Sequence, residues 1–191
     1  MLVVRHAVTE WNVARRIQGR ADIPLAPGGR TQAAGRSVPP EFAGAEVLCS
    51  PLCRALETAR LMGLSGARSE PSLVEMHWGC WEGRTLADLR DELGEAMVRN
   101  EALGLDFRPE GGESPREVQV RIGAWVGRLG ATGNPLVVVT HKGVIRAMLA
   151  LAEGWDMRCS PPVKLRWERG HEFAIGDAGD LRLTRPNLPL E

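Results

Sequence analysis

The chain has 191 residues, with 24 basic and 24 acidic side chains and no formal net charge at neutral pH. That length suits one domain, which buries roughly 70% of its unfolded surface. The cancelled charge excludes the global positive field that gathers proteins on nucleic acid or anionic membranes, so any basic site must be local.

In chain order, Leu2 to Arg5 is a short apolar run ending in the polar turn "HAVTEWN", the pattern of a strand buried on both faces of a parallel sheet. Glu46 to Ser50 is a second, shorter strand candidate, and Leu52 to Met62 reads as a helix. Leu86, Leu89 and Leu93 mark another helix. Ser114 with Glu117 makes a capping box and Pro115 occupies the first helical position, starting a helix whose face carries Ile122, Trp125, Val126 and Leu129. Leu136 to Thr140 repeats the buried-strand pattern, and Ile145, Met148 and Leu149 lie on one face of the helix after it. In the tail, the pairs Leu165 and Trp167, Phe173 and Ile175, and Leu181 and Leu183 alternate with polar residues. They predict edge strands, with "DAGD" as a turn between the last two. No repeat, linker or low-complexity segment interrupts the chain. One α/β domain over residues 1–191 is expected, a three-layer α/β/α arrangement with a mostly parallel central sheet and an antiparallel edge near the C-terminus.

Cys49, Cys53, Cys80 and Cys159 have neither paired CxxC ligand spacing nor the density of a disulfide scaffold, which predicts reduced, mostly buried thiols. No apolar run approaches the roughly 18 residues of a membrane span. A strand that starts at Leu2 predicts no cleaved leader, since cleavage would remove His6. The expected location is the cytoplasm.

Polar residues fall just past the carboxyl ends of the candidate strands, where open α/β sheets bind ligands. Arg5 and His6 follow the first, "CSPLCRALETA" with Arg54 follows the second, and His141 follows the third in "VVVTHKGV". Two histidines and two permanent cations sharing one crevice suit a dianionic tetrahedral group, because arginine grips phosphate oxygens bidentately. Amide groups at the start of the helix after His141 would add a favourable dipole. Of the 24 cations, 22 are arginines and the lysines are Lys142 and Lys164; codon bias accounts for this as readily as function does. One of the histidines can be a nucleophile that forms a phosphoryl-enzyme. It must attack neutral, which calls for a carbonyl that fixes the proton on its other ring nitrogen.

These blocks resemble the histidine phosphatase superfamily, which includes the cofactor-dependent phosphoglycerate mutases. Its opening Arg-His-Gly signature stands here as Arg5, His6 and Ala7, followed by "TEWNVARRIQG", "DIPLAPGG", "SPLCRALETA", "LVEMHWGCWEG" and "VTHKGVIRA". The resemblance implies that His6 is the phosphorylated nucleophile and Glu75 the general acid and base. It makes Arg5, Arg54, His141 and Asn12 ligands of the phosphoryl group, and Thr9, Arg16, Gln18 and Gly19 candidate substrate contacts. No metal or other cofactor is required, since arginines supply the charge. The resemblance implies a small phosphorylated substrate; no nucleic acid or membrane partner is expected, and the expected assembly is a monomer or homodimer.

Other residues compete for these roles. Glu82 shares a loop-like stretch with Glu75, and the family register favours Glu75. His77 and His171 lack motif support and are expected to be structural or exposed. Arg15 is expected at the solvated surface, and Trp11, Trp78 and Trp81 in the core, with an aromatic substrate wall as the sharper alternative. Ala7 departs from the family glycine. It would be strained if that position needs positive φ, and would narrow the pocket if the substrate passes close by.

Mutases and phosphatases of this family share the phosphoryl-enzyme and differ in the acceptor. Glycolytic mutases carry an extra basic insertion before the last motif, where this chain has only "NEALGLDFRPEGGES" with the single Arg108. Hydrolysis is therefore expected, by a phosphoric monoester hydrolase of the histidine acid phosphatase type. Phosphoglycerate mutase-type transfer and a catalytically silent phospholigand-binding module are the alternatives.

Overall fold

Residues rich in branched apolar side chains form the centre of a six-stranded sheet. The computed structural model describes residues 1–130 and 134–191. The strands are β1 (Leu2–Arg5), β2 (Glu46–Cys49), β3 (Arg68–Ser69), β4 (Leu136–Thr140), β5 (Gly170–Ile175) and β6 (Leu181–Leu188), in the order β3-β2-β4-β1-β5-β6. The first four run parallel, while β5 is antiparallel to β1 and β6 antiparallel to β5. This mixed α/β domain has the expected antiparallel edge.

The helices are α1 (Glu10–Val13), α2 (Pro27–Ala34), α3 (Cys53–Leu61), α4 (Leu86–Leu93), α5 (Glu95–Glu101), α6 (Pro115–Leu129) and α7 (Lys142–Glu153). Strand side chains alternate between two buried faces. Val3, Leu48 and Val138 meet Ile122, Trp125, Ile145 and Met148 of α6 and α7. On the other face Leu2, Val4, Val47 and Val137 pack with Phe42 and Met62, and Cys49 and Val139 pack with Ala55 and Ala59 of α3. Burial on both faces explains why these strands read as continuous apolar runs. The capping box of α6 forms as expected: Glu117 N–H donates to Ser114 Oγ and Ser114 N–H to Glu117 Oε2.

Two expectations are corrected. Leu165 to Trp167 is no strand but a stretch running into a turn. Its backbone groups are met by a side chain instead of a ladder: Asn187 Oδ1 accepts Arg166 N–H at 2.6 Å and Asn187 Nδ2 donates to the Lys164 carbonyl at 3.1 Å. Leu165 is buried there as an apolar anchor. The cysteines are all free, but only Cys49 is buried; Cys53 is half-buried, and Cys80 and Cys159 are exposed. The "DAGD" turn does join β5 to β6, closed by Gly176 N–H donating to the Asp180 carbonyl, with Gly179 at φ 76°. No helix among the described residues is long and apolar enough to cross a membrane.

Candidate active site

A cavity of about 540 Å³ opens beyond the carboxyl end of β1. Arg5 and His6 form part of its floor, Arg54 enters from the first turn of α3, and Lys142 and Gly143 from the first turn of α7. Asn12, Arg16, Gln18, Gly19, Glu75 and Trp78 also line it, and α4 and α5 contribute Leu86, Arg90 and Glu101.

His6 N–H donates to the Thr140 carbonyl at 2.9 Å, which continues the β1–β4 ladder one residue past the strand. Its ring is buried, and Nδ1 lies 2.7 Å from the Ala7 carbonyl. A carbonyl can only accept, so Nδ1 carries the proton and Nε2 keeps a free lone pair. Burial, then the charges of Arg5 and Arg54, push the imidazole well below its ordinary pKa of 6.5; the bond to Ala7 opposes them.

His141 is fully buried next to His6, with ring centroids 5.1 Å apart, and is not part of the cavity wall. Its Nε2 lies 2.6 Å from Ser50 Oγ, and its Nδ1 has no partner. Burial and the neighbouring His6, Arg54 and Arg5 lower its pKa well below 6.5. Two buried imidazoles thus sit neutral beside two guanidinium groups.

Arg54 is fully buried, with Nη1 donating to the Ala21 carbonyl at 2.8 Å and Nη2 to the Gly19 carbonyl at 2.7 Å. The Nε atoms of Arg54 and Arg5, Gln18 Oε1 and His141 Nδ1 are all buried without a hydrogen-bond partner. Buried polar atoms are seldom left unpaired, so this concentration around one cavity marks a place prepared for a polar ligand.

Asn12 Oδ1 accepts both Thr9 N–H and Thr9 Oγ1–H at 3.1 Å, which leaves its Nδ2 as a donor on the cavity side. Thr9 itself is fully buried and outside the wall, so it holds Asn12 instead of touching the cavity. Arg16 lines the wall with one guanidinium nitrogen on the Gly83 carbonyl at 3.1 Å.

The two competing carboxylates separate clearly. Glu75 lines the cavity; its Oε1 accepts Met76 N–H at 2.9 Å and its Oε2 accepts Gly143 N–H at 3.2 Å. Gly143 has to be glycine for this approach, because a Cβ there would lie 2.4 Å from Glu75 Oε1. The expected anion-binding amide at the start of α7 is therefore taken by Glu75. Glu82 is outside the wall. Its Oε1 accepts Arg20 N–H at 2.8 Å and Trp78 N–H at 3.1 Å, and its Oε2 accepts Ala21 N–H at 2.9 Å. It ties down the loop whose Gly19 and Ala21 carbonyls orient Arg54.

His77 lies 3.8 Å from Glu82 with a partly exposed side chain, and His171 is buried in β5 away from the cavity. Ala7 is buried against Leu25 and Ala33 and does not line the cavity. Its φ is not among the positive values, which among the described non-glycine residues fall at Arg15, Met157 and Asn187. Of the tryptophans, Trp78 reaches the wall, while Trp81 is core, edge-on to Phe107. Arg15, expected at the surface, is exposed and also lines the rim.

Sequence reasoning gave no role to Lys142, Arg146, Arg90, Ser50 or Gly143. Lys142 and Gly143 directly follow His141, so their adjacency to the motif was a usable signal. Arg146 lies in the same block, "VTHKGVIRA", whereas Arg90 lies outside every block, and only packing turns its helix face toward the cavity.

The family model "Histidine phosphatase superfamily (branch 1)" matches residues 1–166. The glucosyl-3-phosphoglycerate phosphatase of Mycobacterium tuberculosis is 33% identical over 169 residues, covering 78% of this chain and 73% of that protein. The adenosylcobalamin/alpha-ribazole phosphatase of Salmonella typhi is 35% identical over 158 residues, covering 78% and 76%. The solved structure of the mycobacterial glucosyl-3-phosphoglycerate phosphatase with VO3 superposes with a TM-score of 0.80 at 27% identity, covering 98% of both chains. A phosphoglycerate mutase-like sheet and a strand-end arginine–histidine pair thus coincide with a match over most of the sequence, and the chain belongs to branch 1 of the histidine phosphatase superfamily.

Proposed function

We propose that the protein is a metal-independent phosphomonoesterase that hydrolyses a small phosphorylated metabolite through a phosphohistidine at His6. The observation that carries this reading is the 2.7 Å bond from His6 Nδ1–H to the Ala7 carbonyl, which leaves Nε2 unprotonated beside Arg5 and Arg54.

In the first step the Nε2 lone pair forms a bond to phosphorus as the bond to the ester oxygen breaks, and Glu75 gives its proton to the departing alkoxide. In the second step the Glu75 carboxylate takes a proton from water. The water oxygen bonds to phosphorus, and the P–N electron pair returns to Nε2. Arg5, Arg54 and the Asn12 amide hold the equatorial oxygens, whose charge is greatest in the transition state. His141, beside His6 with its buried Nδ1 unpartnered, is the fourth proposed ligand of the phosphoryl group. Because His6 remains neutral well below pH 6.5, the nucleophile survives in acid, which supports the acid phosphatase type. The substrates named for the relatives, glucosyl-3-phosphoglycerate and alpha-ribazole phosphate, are first candidates. We place the enzyme in the cytoplasm as a monomer or homodimer, with the whole chain as one domain.

The test is a phosphomonoester panel with wild type and His6→Ala. Wild type should turn over and, on acid-sensitive trapping, yield a phosphoenzyme whose label is lost in acid. His6→Ala should do neither, and hydrolysis of an activated aryl phosphate by His6→Ala would sink the reading. Phosphate binding without hydrolysis of any ester would instead favour a silent binding module.

A further inference from the structure

The cavity holds more positive charge than one phosphoryl group needs. Seven cationic side chains line it against two carboxylates, Glu75 and Glu101. Arg5 and Arg54 belong to the phosphoryl group, Arg90 is paired with Glu101 at 2.7 Å, and Arg16 donates to a carbonyl. Arg15, Lys142 and Arg146 are left over, in a protein whose total charge is zero.

Lys142 and Arg146 stand one helical turn apart at the N-terminal end of α7, a helix with no acidic residue in its first turn. Like charges four residues apart repel, and cations at a helix N-terminus oppose the macrodipole. The arrangement therefore costs folding stability. Among the described residues neither makes a salt bridge, although the Glu75 carboxylate favours the Lys142 charge from a distance: Lys142 Nζ lies 5.3 Å from the centre of the Trp167 ring, and the Arg146 guanidinium 5.1 Å from that of Trp155. An indole face orders a cation without neutralising it.

Their position specifies the part of the substrate they would meet. Glu75, the proton donor to the leaving oxygen, is tied to Gly143 N–H, the residue between them in the same turn. The departing alcohol must therefore pass along this end of α7. Trp78, Phe107 and Met157 add apolar surface to the same cavity.

We propose that Lys142 and Arg146 form a second anion subsite for the leaving group, so that the preferred substrate is a phosphomonoester whose alcohol carries a carboxylate or a second phosphate a few bonds from the ester oxygen. The inference rests on the phosphatase reading for its orientation, and its test separates the two.

Three esters distinguish the candidates: glycerol 3-phosphate with a neutral remainder, 3-phosphoglycerate with a carboxylate, and propane-1,3-diol bisphosphate with a second phosphate. Wild type should prefer one of the doubly anionic esters over the neutral one by about tenfold or more in kcat/KM, the scale of one charge-assisted contact. The better of the two identifies the anion. Lys142→Met with Arg146→Met, which keeps the apolar stems, should remove most of that preference. No preference in wild type, or an undiminished preference in the variant, overturns the proposal. Calorimetry on His6→Ala, which cannot turn over, gives a readout besides activity: 3-phosphoglycerate or the bisphosphate should bind more tightly than glycerol 3-phosphate, and the two Met substitutions should erase the difference. If no ester is hydrolysed while this difference in binding persists, the phosphatase reading fails and the subsite stands.

Discussion

Ala7 occupies the position where the superfamily signature has glycine, yet it has no positive φ and does not line the cavity. Its N–H donates to Thr58 Oγ1 at 3.0 Å, its carbonyl holds His6, and its Cβ packs on Leu25 and Ala33. Ala7→Gly should therefore leave relative kcat/KM across a substrate panel within about twofold while lowering stability by about 1 kcal/mol, the value of one buried methyl plus added chain entropy. Altered selectivity would return Ala7 to the pocket. The glutamates make a second test. Glu75→Gln should lower kcat by about 100- to 10,000-fold with little change in unfolding midpoint. Glu82→Gln should weaken folding by about 1–3 kcal/mol, because one of its accepting oxygens becomes a donor facing backbone N–H groups. Nothing in the local sequence separates these residues, and the family register alone ranks them; the N–H groups opposite each become visible only after folding. By the same contacts, Gly143→Ala should cut kcat by displacing Glu75, read by turnover against thermal denaturation.

The elements that position the site follow rules that act over a few residues. Runs buried on both faces were legible as strands, and the Ser114–Glu117 box as a helix start, since both depend on local pattern and capping. The edge was less legible. The alternation of Leu165 and Trp167 matches a strand, but Asn187, 22 residues beyond Leu165, supplies the hydrogen bonds of that stretch. Asn187 is in turn held by its N–H to His171 Nδ1 at 3.2 Å, so the bond needs Nδ1 unprotonated. Burial lowers the His171 pKa from 6.5 to about 4. The unfolded chain then takes up a proton near pH 6.5 that the folded chain refuses. Stability is full above about pH 6.5 and lost as pH falls toward 4, by about 3 kcal/mol for this group. His171→Gln should flatten that part of the curve in urea unfolding across this range. An unchanged slope would show that His171 is not the group responsible. His6 and His141, also depressed, act in the same direction and remain in the variant.

Across the whole molecule, a net charge of zero conceals a polarised interior. Cations converge on one cavity while most other arginines are paired at the surface, Arg116 with Asp106 and Arg185 with Glu41 and Glu172 among them. The stretch where mutases insert basic residues behaves differently here. Its Arg108 pairs with Glu117 and donates to the Gly112 carbonyl, while Phe107 turns toward the cavity. Without cations from that segment, a monophosphate acceptor has less to hold it beside the phosphohistidine, and water takes the phosphoryl group instead. Incubation with 3-phosphoglycerate and a 2,3-bisphosphoglycerate primer should release inorganic phosphate with no detectable 2-phosphoglycerate; efficient transfer would reassign the reaction.

The sequence by itself determined the strands that end at Arg5 and Thr140, the caps that start the helices, and the pairing of arginine with histidine at a strand end. All are written in neighbouring residues, or in five blocks whose order matches one family. Only the tertiary structure decided that Ala7 faces the core, that Glu82 braces a loop while Glu75 meets the cavity, and that Lys142 and Arg146 stand beside it without a salt bridge among the described residues. The physical reason is the same in each case. A side chain's role depends on which distant backbone and side chains come to lie opposite it, and that partnership exists only when the sheet and both helix layers have closed.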